Sequence, residues 1–251
     1  MKKRLIARID VKNEFAIKGI HLEGLRKVGD PNEMALSYYN GGIDEIVFMD
    51  AVAAYYDRNN LSEIIKRATQ DIFVPITVGG GIRKISDIEE ALNSGADKVA
   101  INTQAIKFPE FLKEASRVFG SQAIVASIDA KKIGLNQWVA YIDNGREPTN
   151  IDILNWVKAV EDLGAGEIML TSIDKDGTKK GFDFELNNAV SKIAKVPLIV
   201  SGGAGSISDC VTQIQQPGVD ALAIASVLHY KITDIKVIKK DISISGVKIR
   251  E

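Results

Sequence analysis

The stretch Leu5-Ile-Ala-Arg-Ile-Asp-Val-Lys12 returns as Ile124-Val-Ala-Ser-Ile-Asp-Ala-Lys131, at an offset of 119 residues. Asp10 thereby falls on Asp129. The match continues down both halves of the chain. Glu45-Ile46 pairs with Glu167-Ile168 at an offset of 122, and Val74-Pro75 with Gly80-Gly81 pairs with Val196-Pro197 with Gly202-Gly203 at the same offset. Asp97-Lys-Val-Ala-Ile-Asn-Thr103 pairs with Asp220-Ala-Leu-Ala-Ile-Ala-Ser226 at an offset of 123. Each repeated piece is a short β-branched run followed by a segment of helical period. The runs are Leu5–Ile9, Glu45–Met49, Pro75–Val78, Lys98–Ile101, Ala123–Ile128, Glu167–Thr171, Pro197–Val200 and Ala221–Ile224. Strands alternating with helices imply parallel pairing, and near-continuous apolar runs imply a sheet covered on both faces. Eight βα units duplicated four by four predict a closed (β/α)8 barrel in the α/β class, one domain over residues 1–251, with half-barrels of roughly 1–120 and 121–251.

Helix boundaries agree with this reading. Asp30-Pro31 precedes Asn32–Tyr39, Ser86-Asp87 precedes Ile88–Asn93, Pro109 precedes Glu110–Phe119, and Ser206–Ser208 precede Cys210. Gly95, Gly120 and Gly164 stand where helices should stop.

Composition removes several function classes. The 251 residues carry 32 Lys+Arg against 33 Asp+Glu, a net charge of -1, so no global field favours nucleic acid or an anionic membrane. One cysteine, Cys210, and two histidines, His21 and His229, exclude a disulfide framework and a zinc-finger spacing. No cofactor or metal is called for. The opening residues are too charged for a signal-peptide core, and the expectation is a cytoplasmic protein with no membrane segment.

In such a barrel the loops after the strands form the active face. Asp10 and Asp129 end strands on opposite sides of it and together suit general acid and base work, although either could instead cap a loop or pair with Lys12 or Lys131. Val78-Gly-Gly-Gly81 with Asn102-Thr103, and Ser201-Gly-Gly203 with Ala225-Ser226, place backbone N–H groups beside helix starts in each half. Two such clusters suit a substrate with a phosphate at each end, and Asp176-Gly177-Thr178 could complete the second; a lone Gly-Gly pair is otherwise a tight turn. At the other end of the strands, Arg4, Glu45, Lys98 and Glu167 alternate in sign. They could close a salt-bridged ring that stabilises the barrel, or gate its axis.

Over essentially the whole chain these residues resemble the cyclase subunit of imidazole glycerol phosphate synthase. The carriers are Asp10-Val-Lys12, Lys18-Gly19, Gly29-Asp-Pro31, Thr77-Val-Gly-Gly-Gly-Ile82, Gly95-Ala-Asp-Lys-Val99, Phe119-Gly-Ser-Gln122, Asp174-Lys-Asp-Gly-Thr178 and Ser201-Gly-Gly-Ala-Gly205. The resemblance implies Asp10 and Asp129 as the catalytic pair, with Asp10 as acid or base during closure of the imidazole and Asp129 as its complement, and Lys18, in a mobile loop after the first strand, as a substrate contact. It implies Gly81, Asn102 and Thr103 around one phosphate, and Asp176, Gly177, Gly203, Ala225 and Ser226 around the other. It implies the four-residue ring as an ammonia gate, a glutaminase subunit docked on that face, and Asp97 at the interface. Ammonia then comes from the partner, because the chain has no Cys/His amidotransferase site of its own.

Three stretches depart from the histidine enzymes' pattern: Arg8 in Ala-Arg-Ile-Asp10, the loop Ile20-His-Leu-Glu-Gly24, and Met49–Ala53 with Tyr55, Tyr56 and Arg58. With Ala225-Ser-Val-Leu-His-Tyr230 they resemble a second branch associated with acetamidino modification of surface-polysaccharide sugars. The leading expectation is an ammonia-dependent lyase and cyclase acting on a bis-phosphorylated ribulosyl carboxamide ribotide. The alternatives are that second branch and a non-catalytic activator of a glutaminase. His21 could reach substrate from its loop, and Arg8, inside the barrel, needs a partner.

Overall fold

Each of the eight runs becomes a strand, and its helix packs back over it. In a computed structural model that describes residues 2–53 and 61–250, the strands β1 (Arg4–Lys12), β4 (Glu45–Asp50), β5 (Ile76–Gly79), β6 (Lys98–Ile101), β7 (Ile124–Gly134), β10 (Glu167–Ser172), β11 (Leu198–Ser201) and β12 (Ala221–Ile224) pair parallel in that order. β12 returns to β1 with Arg4 beside Ala221, so the barrel closes. The departures expected at Tyr55, Tyr56 and Arg58 lie outside the described residues.

The core has two layers. Between strands and helices lies a large shell that includes Leu5, Phe48, Ile101, Leu112 and Ile238. Inside the barrel, Ile6, Val47, Ala100, Val125, Met169, Ile199, Ala221 and Ala223 fill the axis. Strand alternation makes this division, since successive side chains point to opposite faces.

Two helix starts follow the sequence signals, whereas the helix expected from Ile88 already begins at Ile85, with Lys84 at its N-cap and the Asp87 carboxylate accepting from the Arg83 and Lys84 N–H groups from inside the first turn. Asp30 accepts hydrogen bonds from the backbone N–H groups of Asn32 and Glu33 at the start of α1 (Pro31–Asn40), and Ser206 forms a capping box with Asp209 before a helix over Ile207–Ile214. Three aspartates then pin strands to their neighbours in an echo of the duplication. The carboxylates of Asp44, Asp97 and Asp220 accept from the N–H groups of Leu5, Ile76 and Leu198 at 2.7, 2.8 and 3.0 Å.

Four strands were not anticipated. β2 (Phe15–Ile20) and β3 (Glu23–Gly29) form a hairpin on the end of β1, and β8 (Gln137–Ile142) and β9 (Glu147–Asp152) repeat it on β7. Lys18 therefore sits on a strand, buried, and not in a loose loop. The hairpin turns where His21 and Leu22 both adopt positive φ, 55° and 61°, as a tight two-residue turn requires.

Candidate active site

The strand ends deliver both aspartates to the same mouth. Asp10 and Asp129 are 5% and 6% exposed, which places carboxylates in surroundings where each needs a partner. Their partners differ in charge. Asp10 accepts from Arg8 Nε at 2.8 Å and faces Lys18 Nζ at 3.3 Å. Asp129 accepts from the Asn102 amide at 2.9 Å.

The electrostatic outcome is opposite at the two sites. Burial alone would raise Asp10, but Arg8 and Lys18 outweigh it and hold this carboxyl at about 2. Burial raises Asp129, Asp176 and Asp10 add to the effect, and Arg8 and Asn102 only partly offset it, leaving that carboxyl at about 6. Lys18 is itself held charged: burial opposes the charge, and Asp10 and Asp176 overcome it.

The first glycine cluster forms an open cavity. Gly80 and Gly81, with φ of 91° and 72°, turn the chain after β5 and meet Asn102 and Thr103 around a cavity of about 160 Å³ that also reaches Asp129. Any side chain at Gly80 would collide with the backbone of Asp50, its Cβ lying 2.3 Å from the Asp50 carbonyl oxygen, so the close approach requires glycine. The Asn102 amide also donates to the Tyr141 carbonyl, and its Oδ1 is buried with no partner among the described residues. Arg83 and Lys107 bring positive charge to the rim.

The second cluster is assembled but nearly filled. Lys18, Asp176, Gly177, Gly203, Ala225 and Ser226 line a space of about 10 Å³. Lys18 Nζ donates to both Asp176 carboxylate oxygens, at 2.9 and 2.8 Å. The Asp176 carboxylate is thus engaged by Lys18, and its backbone carbonyl accepts from His21 N–H at 2.9 Å. His21 turns its ring nitrogen Nδ1 to the Ile173 carbonyl at 2.9 Å.

At the opposite end of the strands the four alternating charges meet. Arg4 bonds Glu45 at 2.9 Å and Glu167 at 2.5 Å, Lys98 reaches Glu45 at 3.3 Å and Glu167 at 2.8 Å, and Arg250 approaches Glu45 at 3.5 Å. Asp97 lies beside this face, exposed, with its carboxylate on Ile76 N–H. Cys210 is buried in its helix with its thiol pushed up to about 12 by burial, so it is held as an unreactive thiol.

Two groups near the site had no role assigned from sequence, although Thr171 and His229 lie in stretches that carry the family resemblance. Thr171, fully buried on β10, accepts from Arg8 Nη1 at 2.9 Å. His229 bonds Tyr38 through Nδ1 at 2.7 Å and stacks on its ring, and burial depresses the imidazole to about 4. Only the i, i+2 spacing of Arg8 and Asp10 along one strand face signalled the first; nothing local signalled the second.

Residues 4–234 match the family described as histidine biosynthesis protein. Among relatives, a Legionella pneumophila protein is 54% identical over 206 residues, covering 82% of this chain and 97% of its own length. A Streptococcus mutans protein is 44% identical over 251 residues, covering all of both chains, and a Methanococcus vannielii protein is 42% identical over 270 residues, covering 100% of this chain and 99% of its own. All three carry the name imidazole glycerol phosphate synthase subunit HisF.

Proposed function

The chain belongs to the histidine biosynthesis protein family, and on that premise we propose how its site works as the cyclase subunit of imidazole glycerol phosphate synthase. The enzyme is an ammonia-dependent lyase and cyclase. Ammonia adds to the ribulosyl carbonyl of the bis-phosphorylated carboxamide ribotide, water is lost, the ring closes on the formimino carbon, and the C–N bond to the carboxamide ribotide breaks. The products are imidazole glycerol phosphate and the aminoimidazole carboxamide ribotide.

The observation that carries this reading is an open glycine-built cavity after β5 and β6 and its nearly filled counterpart after β11 and β12, flanking an aspartate pair of unlike proton affinity. Gly81, Asn102 and Thr103 hold one phosphate. Gly177, Gly203, Ala225 and Ser226 hold the other, with Lys18 leaving its bond to Asp176 to meet the incoming anion. The free Asn102 Oδ1 accepts from a substrate N–H.

The names of the relatives imply a partner subunit. A glutaminase docked over the ring of Arg4, Glu45, Lys98 and Glu167, with Asp97 at the contact, would release ammonia at the base of the barrel. Neutral ammonia crosses the apolar axis lined by Ile6, Val47 and Met169, where ammonium would meet a large desolvation cost. Among the described residues no helix is long and apolar enough to cross a membrane. The second reading, amidination of a surface sugar, rests only on the sequence departures at Arg8, Ile20–Gly24, Met49–Ala53 with Tyr55, Tyr56 and Arg58, and Ala225–Tyr230, and rescue of a histidine auxotroph by this gene would remove it.

The deciding experiment supplies the purified chain with the bis-phosphorylated ribulosyl substrate and an ammonium salt at alkaline pH. Imidazole glycerol phosphate should form, and Asp10→Asn and Asp129→Asn should each lower turnover by at least about 100-fold. Full activity in the double variant would end the proposal.

A further inference from the structure

We propose that Arg8 is a positioning residue: its guanidinium, tied to the Asp10 carboxylate at one end and to the Thr171 hydroxyl at the other, keeps Asp10 as a fixed anion and leaves proton exchange to Asp129. This deepens the function given above and rests on it for the reaction served. The unlike partners of the two carboxylates, cations on Asp10 and a neutral amide on Asp129, are its geometric basis.

Arg8 and Asp10 share the inward face of β1, two residues apart. Nε donates to Asp10 Oδ1 at 2.8 Å and Nη1 to Thr171 Oγ1 at 2.9 Å, with Arg8 only 2% exposed and Thr171 fully buried. Thr171 lies on β10, three strands from β1 in the closed order, so the side chain spans the barrel above its apolar filling. Thr171 is also the register neighbour of Asp129 on β7. One guanidinium therefore stands between the two carboxylates while bonding only one.

The groups around Asp10 come from every element that packs on it: Arg8 from β1, Lys18 from β2, Asp129 from β7, Asp176 from the loop after β10, and His229 after β12. Two of them are bonded cations, and Lys18 divides its charge between Asp10 and Asp176. Asp129, among the described residues, bonds a neutral amide. A carboxyl near neutrality both gives and takes a proton at little cost, whereas a carboxylate locked between cations is a poor base. A locked carboxylate is instead a standing negative charge, suited to the positive charge that grows on nitrogen as ammonia adds and the ring closes.

Carboxyl 13C NMR of the full chain, labelled at aspartate and titrated without substrate, tests this, with Asp10→Asn and Asp129→Asn as assignments. The Asp129 signal should titrate near 6, and Asp10 should stay flat down to about pH 4. In Arg8→Gln the Asp10 signal should begin to titrate above about pH 4, and kcat should fall about 100-fold with KM moving less than about threefold. Arg8→Lys should restore the flat Asp10 titration but only part of the rate, because an ammonium lacks the fork that reaches Thr171. Should Arg8→Gln not fold, Thr171→Val removes only the far anchor, and its kcat should fall with its pH profile shifted.

An Asp10 signal that titrates near neutrality in the parent chain overturns the proposal. So does an Arg8→Gln chain with Asp10 still flat, or a Thr171→Val chain with unchanged rate and pH profile. The titration needs no turnover, so a chain that ignores the ribulosyl bis-phosphate would end the cyclase reading and leave this one standing.

Discussion

Asp10 and Asp129 occupy matching places in a duplicated sequence, yet replacing them should move stability in opposite directions. Asp129 has a folded value near 6 against an ordinary 3.8. Between those values the folded chain holds a proton that the unfolded chain has lost, so stability falls as pH rises through the interval, by about 3 kcal/mol. Asn at this position is neutral and keeps a polar partner for the Asn102 amide. Asp129→Asn should therefore be more stable than the parent at pH 7 by up to about 3 kcal/mol, and the gain should vanish below about pH 4, as urea unfolding across pH would show. Asp10 is the reverse case, with a folded value near 2. Its contribution is present above the ordinary carboxylate value and is lost as pH falls toward 2. Asp10→Asn removes it and leaves Arg8 and Lys18 facing one anion fewer, so the same measurement should show a loss of about 2 kcal/mol or more at pH 7.

The hairpin β2–β3 carries Lys18 into the second cavity, and its seat is a contact between two glycines. A Cβ on Gly177, which has φ +69°, would lie 2.1 Å from the Gly19 carbonyl oxygen. Gly177→Ala should unseat the hairpin at a cost of about 1–3 kcal/mol, read as faster amide hydrogen exchange over residues 15–29 with the barrel strands unchanged. The physical character of the elements decides how far sequence alone could see them. The eight barrel strands are short, apolar and bounded by turn residues, so their existence was legible: Lys98–Ile101 and Ala221–Ile224 agree at both ends, whereas β1 and β7 run on past Ile9 and Ile128 to Lys12 and Gly134 because their ends pair with the hairpins. The hairpin strands were not legible. β3 runs Glu23-Gly-Leu-Arg-Lys-Val-Gly29, is largely exposed and has no alternation to mark an inner face, so its pairing depends on the strand it meets. The two glycine clusters were visible because the duplication doubled the signal, and the charged ring because Arg4, Glu45, Lys98 and Glu167 stand at or near strand starts where an apolar barrel needs no charge. The Arg8–Thr171 bond and the Tyr38–His229 pair join residues 163 and 191 apart, and no local pattern encodes such a contact.

At the scale of the molecule, the barrel separates a charged base from the mouth that holds Asp10 and Asp129, with an apolar interior between them, and this arrangement makes two different demands on the ring. Arg4 is 5% exposed and bonds Glu45 and Glu167 together, while Lys98 bridges the same two carboxylates from the other side. Replacing Arg4 by Met leaves two buried carboxylates on one lysine, with Arg250 at 3.5 Å from Glu45 as the remaining help. Loss of one partner from a buried ion cluster costs about 3–5 kcal/mol, which denaturant unfolding would register. The proposed gate adds a second, separable consequence. Ammonium salt in solution reaches the mouth from the open side, whereas ammonia released by a docked glutaminase must pass the ring. Lys98→Met, at the more exposed corner of the ring, should therefore change turnover driven by glutamine in the presence of the partner by about tenfold while leaving turnover driven by ammonium salt within about twofold. Equal effects on both would reduce the ring to a stabilising cluster. The comparison also fixes the docking face, because only a partner seated over the base of the barrel makes the two ammonia sources unequal.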